Sequence, residues 1–313
     1  MKINRNQKSH EWVAAFLLLI LLLLQSLLFA SQAEAQITRS FTSRFSTNAN
    51  GDIRLIGNTV VTCSTTTGGN AASCAGAKSA SNPVLNNDGD FDIIHVDKDS
   101  DPTTFNSTQS TLSLPVGSTV LFAGLYWGGR TNKAARNQVL LRTPVAGGYS
   151  TITASTIDTA AGASNNYAGF ANVTAQVIAG GNGTYTVANV QVSGAAALST
   201  TNPGNDGSGF WGGWSLVVVY QNMGDTLKNL TVYDGYGLVT NTASATVTPS
   251  GFLTPLSGPV IARIGSVGYG GDLGPGGTFV GDAITLNGTA LTDASNPANN
   301  YFGSSRLSVG DFG

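Results

Sequence analysis

Beyond residue 36, no stretch of this chain spaces its apolar residues at the 3.6-residue period of an amphipathic helix. Short runs with the two-residue period of a strand recur instead. In residues 111–116, Leu112, Leu114 and Val116 share one face; Leu230 and Val232 repeat the pattern, as do Ala243, Ala245 and Val247. Continuous apolar runs at 120–126 and 215–220 predict strands buried on both faces. In residues 185–192 the apolar phase slips between Val187 and Val190, which predicts a β-bulge. Turn clusters separate these runs: Asn86-Asn87-Asp88-Gly89, Gly180-Gly181-Asn182-Gly183 and Asn205-Asp206-Gly207. Glycine, at 40 of 313 residues, runs near twice its usual ~7%. The pattern predicts an all-β protein, a β-sandwich of jelly-roll-like topology. The sandwich region, residues 36–313, is long for one sandwich at about 280 residues, which leaves room for a second lobe from about residue 256.

Residues 1–35 read as an export signal. Lys2, Arg5 and Lys8 form a basic start, an apolar run covers 12–24, and Ala33-Glu34-Ala35 offers a small-x-small cleavage pattern before Gln36. The rival reading is a retained membrane anchor, because residues 13–30 nearly span a bilayer. Gln25 and Ser26 interrupt that run, which favours a cleavable signal. The chain is therefore expected outside the cell, secreted or on the cell surface, and in the membrane only through this segment if it is retained. The last residues, Val309-Gly310-Asp311-Phe312-Gly313, read as a strand and turn, so the chain is expected to be the front end of something longer; the alternative is an abrupt native terminus.

Composition narrows the chemistry. The only glutamates are Glu11 and Glu34, so the region after residue 35 has none, and it keeps a single histidine, His95. That inventory excludes zinc sites with several His or Cys ligands and glutamate-based glycosidase pairs, though two aspartates could still serve as such a pair; a Ser-His-Asp triad would need His95. Charged residues make up 10% of the chain and net charge is −2, against a usual ~25% charged. Arg130, Lys133, Arg136 and Arg142 are too loosely placed for a row of phosphates, so nucleic acid is not an expected partner. Cys63 and Cys74 are expected to form one disulfide around a short polar loop. A catalytic thiol is the other reading, with only His95 near enough in sequence to activate it.

Six aspartates fall within residues 88–101, as the triplets Asp88-Gly-Asp90-Phe-Asp92 and Asp97-Lys-Asp99-Ser-Asp101. Alternate spacing on an extended chain puts each triplet's carboxylates on one side, where they repel unless a cation lies between them. Asp97, Asp99 and Asp101, helped by Asp88 and Asp90, are thus candidate ligands of a structural Ca²⁺. The loop is not an EF-hand, since Pro102 stands where glycine is needed. The plain alternative is solvated turn aspartates beside a strand at 91–96. On that strand Asp92 and His95 point to opposite faces, which weakens any catalytic pairing. A second acidic-glycine stretch, from Gly268 to Asp282, reads as a loop.

Large rings sit beside glycines in Tyr126-Trp127-Gly128-Gly129 and Phe210-Trp211-Gly212-Gly213-Trp214. Trp127 and Trp214 adjoin apolar strands and are expected in the core; Trp211 is expected to be exposed. A second functional reading rests on Tyr126, Trp127 and Trp211 as a stacking surface for glycans.

Four phrases carry a resemblance: residues 58–63 (Asn-Thr-Val-Val-Thr-Cys), 96–106, 120–129 and 213–220. With residues 231–235 and 286–293 they resemble the amino-terminal region of large bacterial secreted or surface proteins. Those proteins go on to tandem β-sandwich repeats of the domain-of-unknown-function-eleven family. The resemblance covers most of residues 37–313, but the repeats and a Leu-Pro-x-Thr-Gly anchor signal are missing. It implies an address and an architecture, with no catalytic residue to carry over. The sequence therefore predicts a non-catalytic exported surface protein, structural or adhesive, whose partners are other cell-surface or matrix components or glycans.

Overall fold

The computed structural model describes residues 33–34, 36–66, 70–78, 91–131, 134–159, 165–192, 210–239, 243–252, 256–257, 262–271, 281–292 and 296–302. The export segment, Asp88, Asp90 and the turn clusters at 86–89 and 205–207 lie outside these residues, apart from Ala33 and Glu34. By internal contacts the chain falls into a small unit (residues 1–36 and 239–246) and a large one (residues 37–238 and 247–313).

Along the chain run β1 (Ala33–Glu34), β2 (Gln36–Thr59), β3 (Val61–Cys63), helix α1 (Cys74–Lys78), β4 (Ile93–His95) and β5 (Ser107–Leu112). There follow β6 (Thr119–Arg130), β7 (Gln138–Arg142), β8 (Ser150–Thr153), β9 (Thr156–Thr159), β10 (Asn166–Asn172) and helix α2 (Thr174–Gly180). The rest are β11 (Gly183–Ala188), β12 (Gly212–Gln221), β13 (Leu227–Leu238), β14 (Ala243–Ser244), β15 (Thr285–Leu286) and β16 (Thr289–Ala290). In the small unit β1 pairs with β14. The large unit is an all-β sandwich of a six-stranded sheet, β13-β2-β12-β6-β10-β9, and a four-stranded sheet, β5-β11-β7-β8. Past residue 256 the described strands are the hairpin β15–β16, turned by Asn287 and Gly288, both at positive φ.

The two faces of the six-stranded sheet explain the continuous apolar runs. On β12, Trp214, Leu216 and Val218 face the four-stranded sheet and join Leu125, Trp127, Leu141, Tyr185 and Val187 in the main core. The alternate residues Val217 and Val219 face outward, yet they are buried too, with Phe122, Phe170, Leu230 and Val232. The outer face is covered because β2 bends. Residues 51–59 pair with β12, while Phe45, further back on β2, stacks on Phe122 at 5.0 Å between centroids. The sheet thus curls over its own outer face. A Cβ at Gly51 would lie 2.0 Å from the Tyr220 carbonyl oxygen, so only glycine allows this close approach at the bend.

Several local expectations are corrected. The bulge lies elsewhere: β11 pairs with β5 without interruption, and the irregularity falls where Val219 faces Phe122 and Tyr220 faces Val120. The phase slip after Val187 arises because the strand ends at Ala188 and Asn189, at φ 60°, turns the chain. Val116 is fully exposed while Leu112 and Leu114 are buried, because β5 stops at Leu112 and the chain turns at Gly117. Helix α2 carries too few residues to show a period, although Val173 and Val177 stack on one side and are fully buried. The Thr174 hydroxyl and backbone N–H both donate to Asn172 Oδ1, which fixes the helix start.

Candidate functional site

The acidic turn between β4 and β5 is built around Ser107. Its backbone N–H donates to the Val96 carbonyl (2.8 Å), and the Lys98 N–H donates to its carbonyl (3.1 Å), so residues 97–106 leave and return at one point. The buried Ser107 hydroxyl accepts from the N–H groups of Lys98 (2.8 Å) and Asp99 (3.1 Å). It also sits 3.0 Å from Asp97 Oδ1 and 2.8 Å from Asp99 Oδ1, as a donor to the carboxylates. Asp97, Asp99 and Asp101 therefore meet on a tight turn, with Ser100 at φ 53°, and not along an extended strand.

What offsets Asp99 comes from the chain itself. Tyr149 donates its hydroxyl to Asp99 Oδ2, and the Arg142 guanidinium lies 3.6 Å from the same oxygen and 4.9 Å from the Tyr149 ring centre. Burial alone would raise the Asp99 carboxyl. The hydrogen bonds from Tyr149, Ser107 and the Asp101 N–H, with the Arg142 charge, outweigh burial and hold it at about 2. Asp101 is held below the usual carboxylate range by the hydroxyl and N–H of Thr103. Burial pushes the Tyr149 hydroxyl up, and its bond to Asp99 adds to that. Among the described residues, no group of three or more His, Cys, Asp or Glu is placed to hold a metal ion. His95 rests against the Phe105 ring, 5.5 Å between centroids. Cys63 and Cys74 form the expected disulfide.

The aromatic residues divide by strand parity. Tyr126 and Trp127 are neighbours on β6 and so face opposite sides of the sheet. Trp127 is fully buried, its indole N–H donating to the Arg136 carbonyl (3.2 Å), and it packs so closely on β10 that a Cβ at Gly169 would come within 2.6 Å of its ring. It cannot stack on a ligand, which corrects its place in the glycan surface. Trp214, its cross-strand neighbour, is equally buried and donates to Thr108 Oγ1 (2.8 Å). Trp211 is half-buried, not exposed: the Tyr269 ring stacks on it at 5.1 Å and 18°.

Tyr126 belongs to a polar cluster that strand periodicity does not reveal. Its hydroxyl donates to Asp234 Oδ2 (3.3 Å), and its ring lies 4.9 Å from Phe170. Asp234 on β13 also accepts from Arg39 (2.8 Å) and Arg44 (2.8 Å), both on β2, and Arg39 grips Asp158 on β9 through Nε and Nη2. Arg39 thus joins the two ends of the strand order and closes the curl of the sheet. Two arginines meet two aspartates, so the charges balance. Burial would raise the Asp234 carboxyl, but hydrogen bonds from Arg44 and Arg39 and their charges hold it below the usual range. Burial pushes the Tyr126 hydroxyl up, and Asp234 adds to that. Arg39 and Arg44 are five residues apart, which on a regular strand puts them on opposite faces, so alternation separates residues that the curl brings together.

Comparison with family profiles, with curated proteins and with solved structures gave no match.

Proposed function

We propose that this chain is a non-catalytic exported β-sandwich protein of the cell surface, structural or adhesive in role, and the amino-terminal module of a larger bacterial exoprotein. The observation that carries this reading is the use made of the carboxylates. Asp99 and Asp234 are each bound by arginine and tyrosine of their own chain, so Asp99 ties the acidic turn to β7 and the turn after it, and Asp234 ties β13 to β2 and β6. The disulfide fits an oxidising compartment, and the Glu-free sequence after residue 35 leaves a narrow acid–base repertoire. Displaying residues 36–313 on beads and probing them with cell-surface and extracellular-matrix fractions tests the adhesive role. Saturable retention of a surface component is the expected result; turnover of a substrate by the same protein would defeat the non-catalytic reading.

One observation favours carbohydrate binding as a second reading. The half-buried Trp211 lies flat against Tyr269 and is flanked by Gly128 and Gly270, where a Cβ would approach the indole only to 3.5 Å. A flat ring pair bordered by glycines suits stacking on a sugar face. A glycan array read with Trp211→Ala decides it: binding lost in the variant supports the site, binding retained moves it elsewhere, and no binding by either protein ends the reading.

A further inference from the structure

Asparagine followed by glycine occurs three times in the chain, at Asn50-Gly51, Asn182-Gly183 and Asn287-Gly288. At such a pair the main chain can react with its own side chain, because glycine has no Cβ to keep its amide nitrogen away from the preceding carboxamide. The reaction needs a free carboxamide, a free glycine N–H and room for the backbone between them to swing. The fold withholds these from the first two pairs and grants them to the third.

Asn50 donates through Nδ2 to the Asp225 carbonyl (2.8 Å). Gly51 pairs with Gln221 in the six-stranded sheet, hard against the Tyr220 carbonyl. Asn182 is held at both ends of its carboxamide: Oδ1 accepts from the Leu114 N–H and Nδ2 donates to the Leu114 carbonyl (2.8 Å each). Gly183 pairs with Leu112, and a Cβ there would come within 2.7 Å of Pro144. Asn287 and Gly288 instead form the exposed turn of the β15–β16 hairpin, at φ 49° and 81°. Among the described residues, none hydrogen-bonds the Asn287 carboxamide or the Gly288 N–H. A Cβ on Gly288 would meet nothing within 4 Å. Each strand of this hairpin is two residues long with exposed side chains, so opening the turn costs little.

We propose that Asn287 is a self-modification site, at which the Gly288 amide nitrogen displaces the carboxamide nitrogen of Asn287. The Gly288 nitrogen gives its proton to a solvent base and attacks Asn287 Cγ. The N–Cγ bond forms, the Cγ–Nδ2 bond breaks, and the carboxamide nitrogen takes up a proton and leaves as ammonia. Water then opens the cyclic succinimide at either carbonyl. One opening gives aspartate; the other gives isoaspartate, with the main chain rerouted through Cγ. One water enters and one ammonia leaves, and nothing is oxidised or reduced. Either product adds one negative charge to a chain whose net charge is −2. Isoaspartate also lengthens the backbone of a turn whose geometry is set by two residues, so the Leu286–Thr289 pairing is lost. The hairpin thus carries a slow, irreversible record of the protein's age.

Peptide mapping by mass spectrometry tests this on the folded protein aged in mildly alkaline heavy-oxygen water. Heavy oxygen should enter at residue 287 at least about tenfold faster than at residues 50 and 182, where the fold must open first. In urea the three sites should converge. An acidic charge variant should accumulate in step with the label, and Asn287→Gly, which keeps a turn of the same type, should remove both. Label entering Asn50 or Asn182 as fast as Asn287 in the folded protein would overturn the proposal. So would a residue 287 that stays unlabelled while the chain is folded, or a ranking of the three sites that urea leaves unchanged.

Discussion

The Ser107 hydroxyl is fully buried and lies within hydrogen-bonding reach of two carboxylates and two backbone N–H groups, so the acidic turn depends on it. Ser107→Ala leaves those groups to water or to each other and should cost about 1–3 kcal/mol in urea unfolding. An unchanged midpoint would show that the turn is held by Tyr149 and Arg142 alone. The pH dependence has a definite sign. Asp99 falls from an ordinary value of 3.8 to about 2 on folding, so its contribution is complete above about pH 4 and is lost as pH falls towards 2. The wild type should lose stability across that window more steeply than Asp99→Asn, as thermal melts at stepped pH will show. In the main core, Gly169 is fixed by the Trp127 indole: Gly169→Ala should cost about 1–3 kcal/mol by overpacking, readable as a lowered melting temperature.

At the scale of elements, the clasp of Arg39 and Arg44 on Asp234 and Asp158 holds the first half of β2 over the outer core. Asp234→Asn leaves two partly buried guanidiniums without their shared carboxylate and should cost about 3 kcal/mol. Hydrogen exchange locates the loss: residues 37–50 should exchange faster while β12 stays protected. Uniform loss of protection would mean that the curl and the sandwich unfold as one. The strands themselves were legible in the sequence, because β6 and β12 are apolar on both faces and β13 alternates Leu230 and Val232 inward. The curl was not legible. It depends on the bend at Gly51 and on contacts such as Arg39 to Asp158, 119 residues apart, which no local period encodes. The aromatic site was half legible: glycines beside Trp127 and Trp214 do mark close packing, but nothing local shows that Tyr269 would lie against Trp211.

For the whole molecule, Arg142 and Tyr149 offset Asp99, and thermal unfolding in chelator and in millimolar calcium tests the other aspartates: an unchanged midpoint leaves them as turn aspartates. A higher midpoint with calcium would place a cation at the aspartates after all, with Asp88 and Asp90 as further ligands. The proposed surface role depends on export. Intact-mass measurement on the protein recovered from fractionated cells and medium tests it most directly. The expected species lies outside the cytoplasm, begins at Gln36 and carries the Cys63–Cys74 disulfide. A full-length chain inside the cell, with both cysteines reduced, would contradict it.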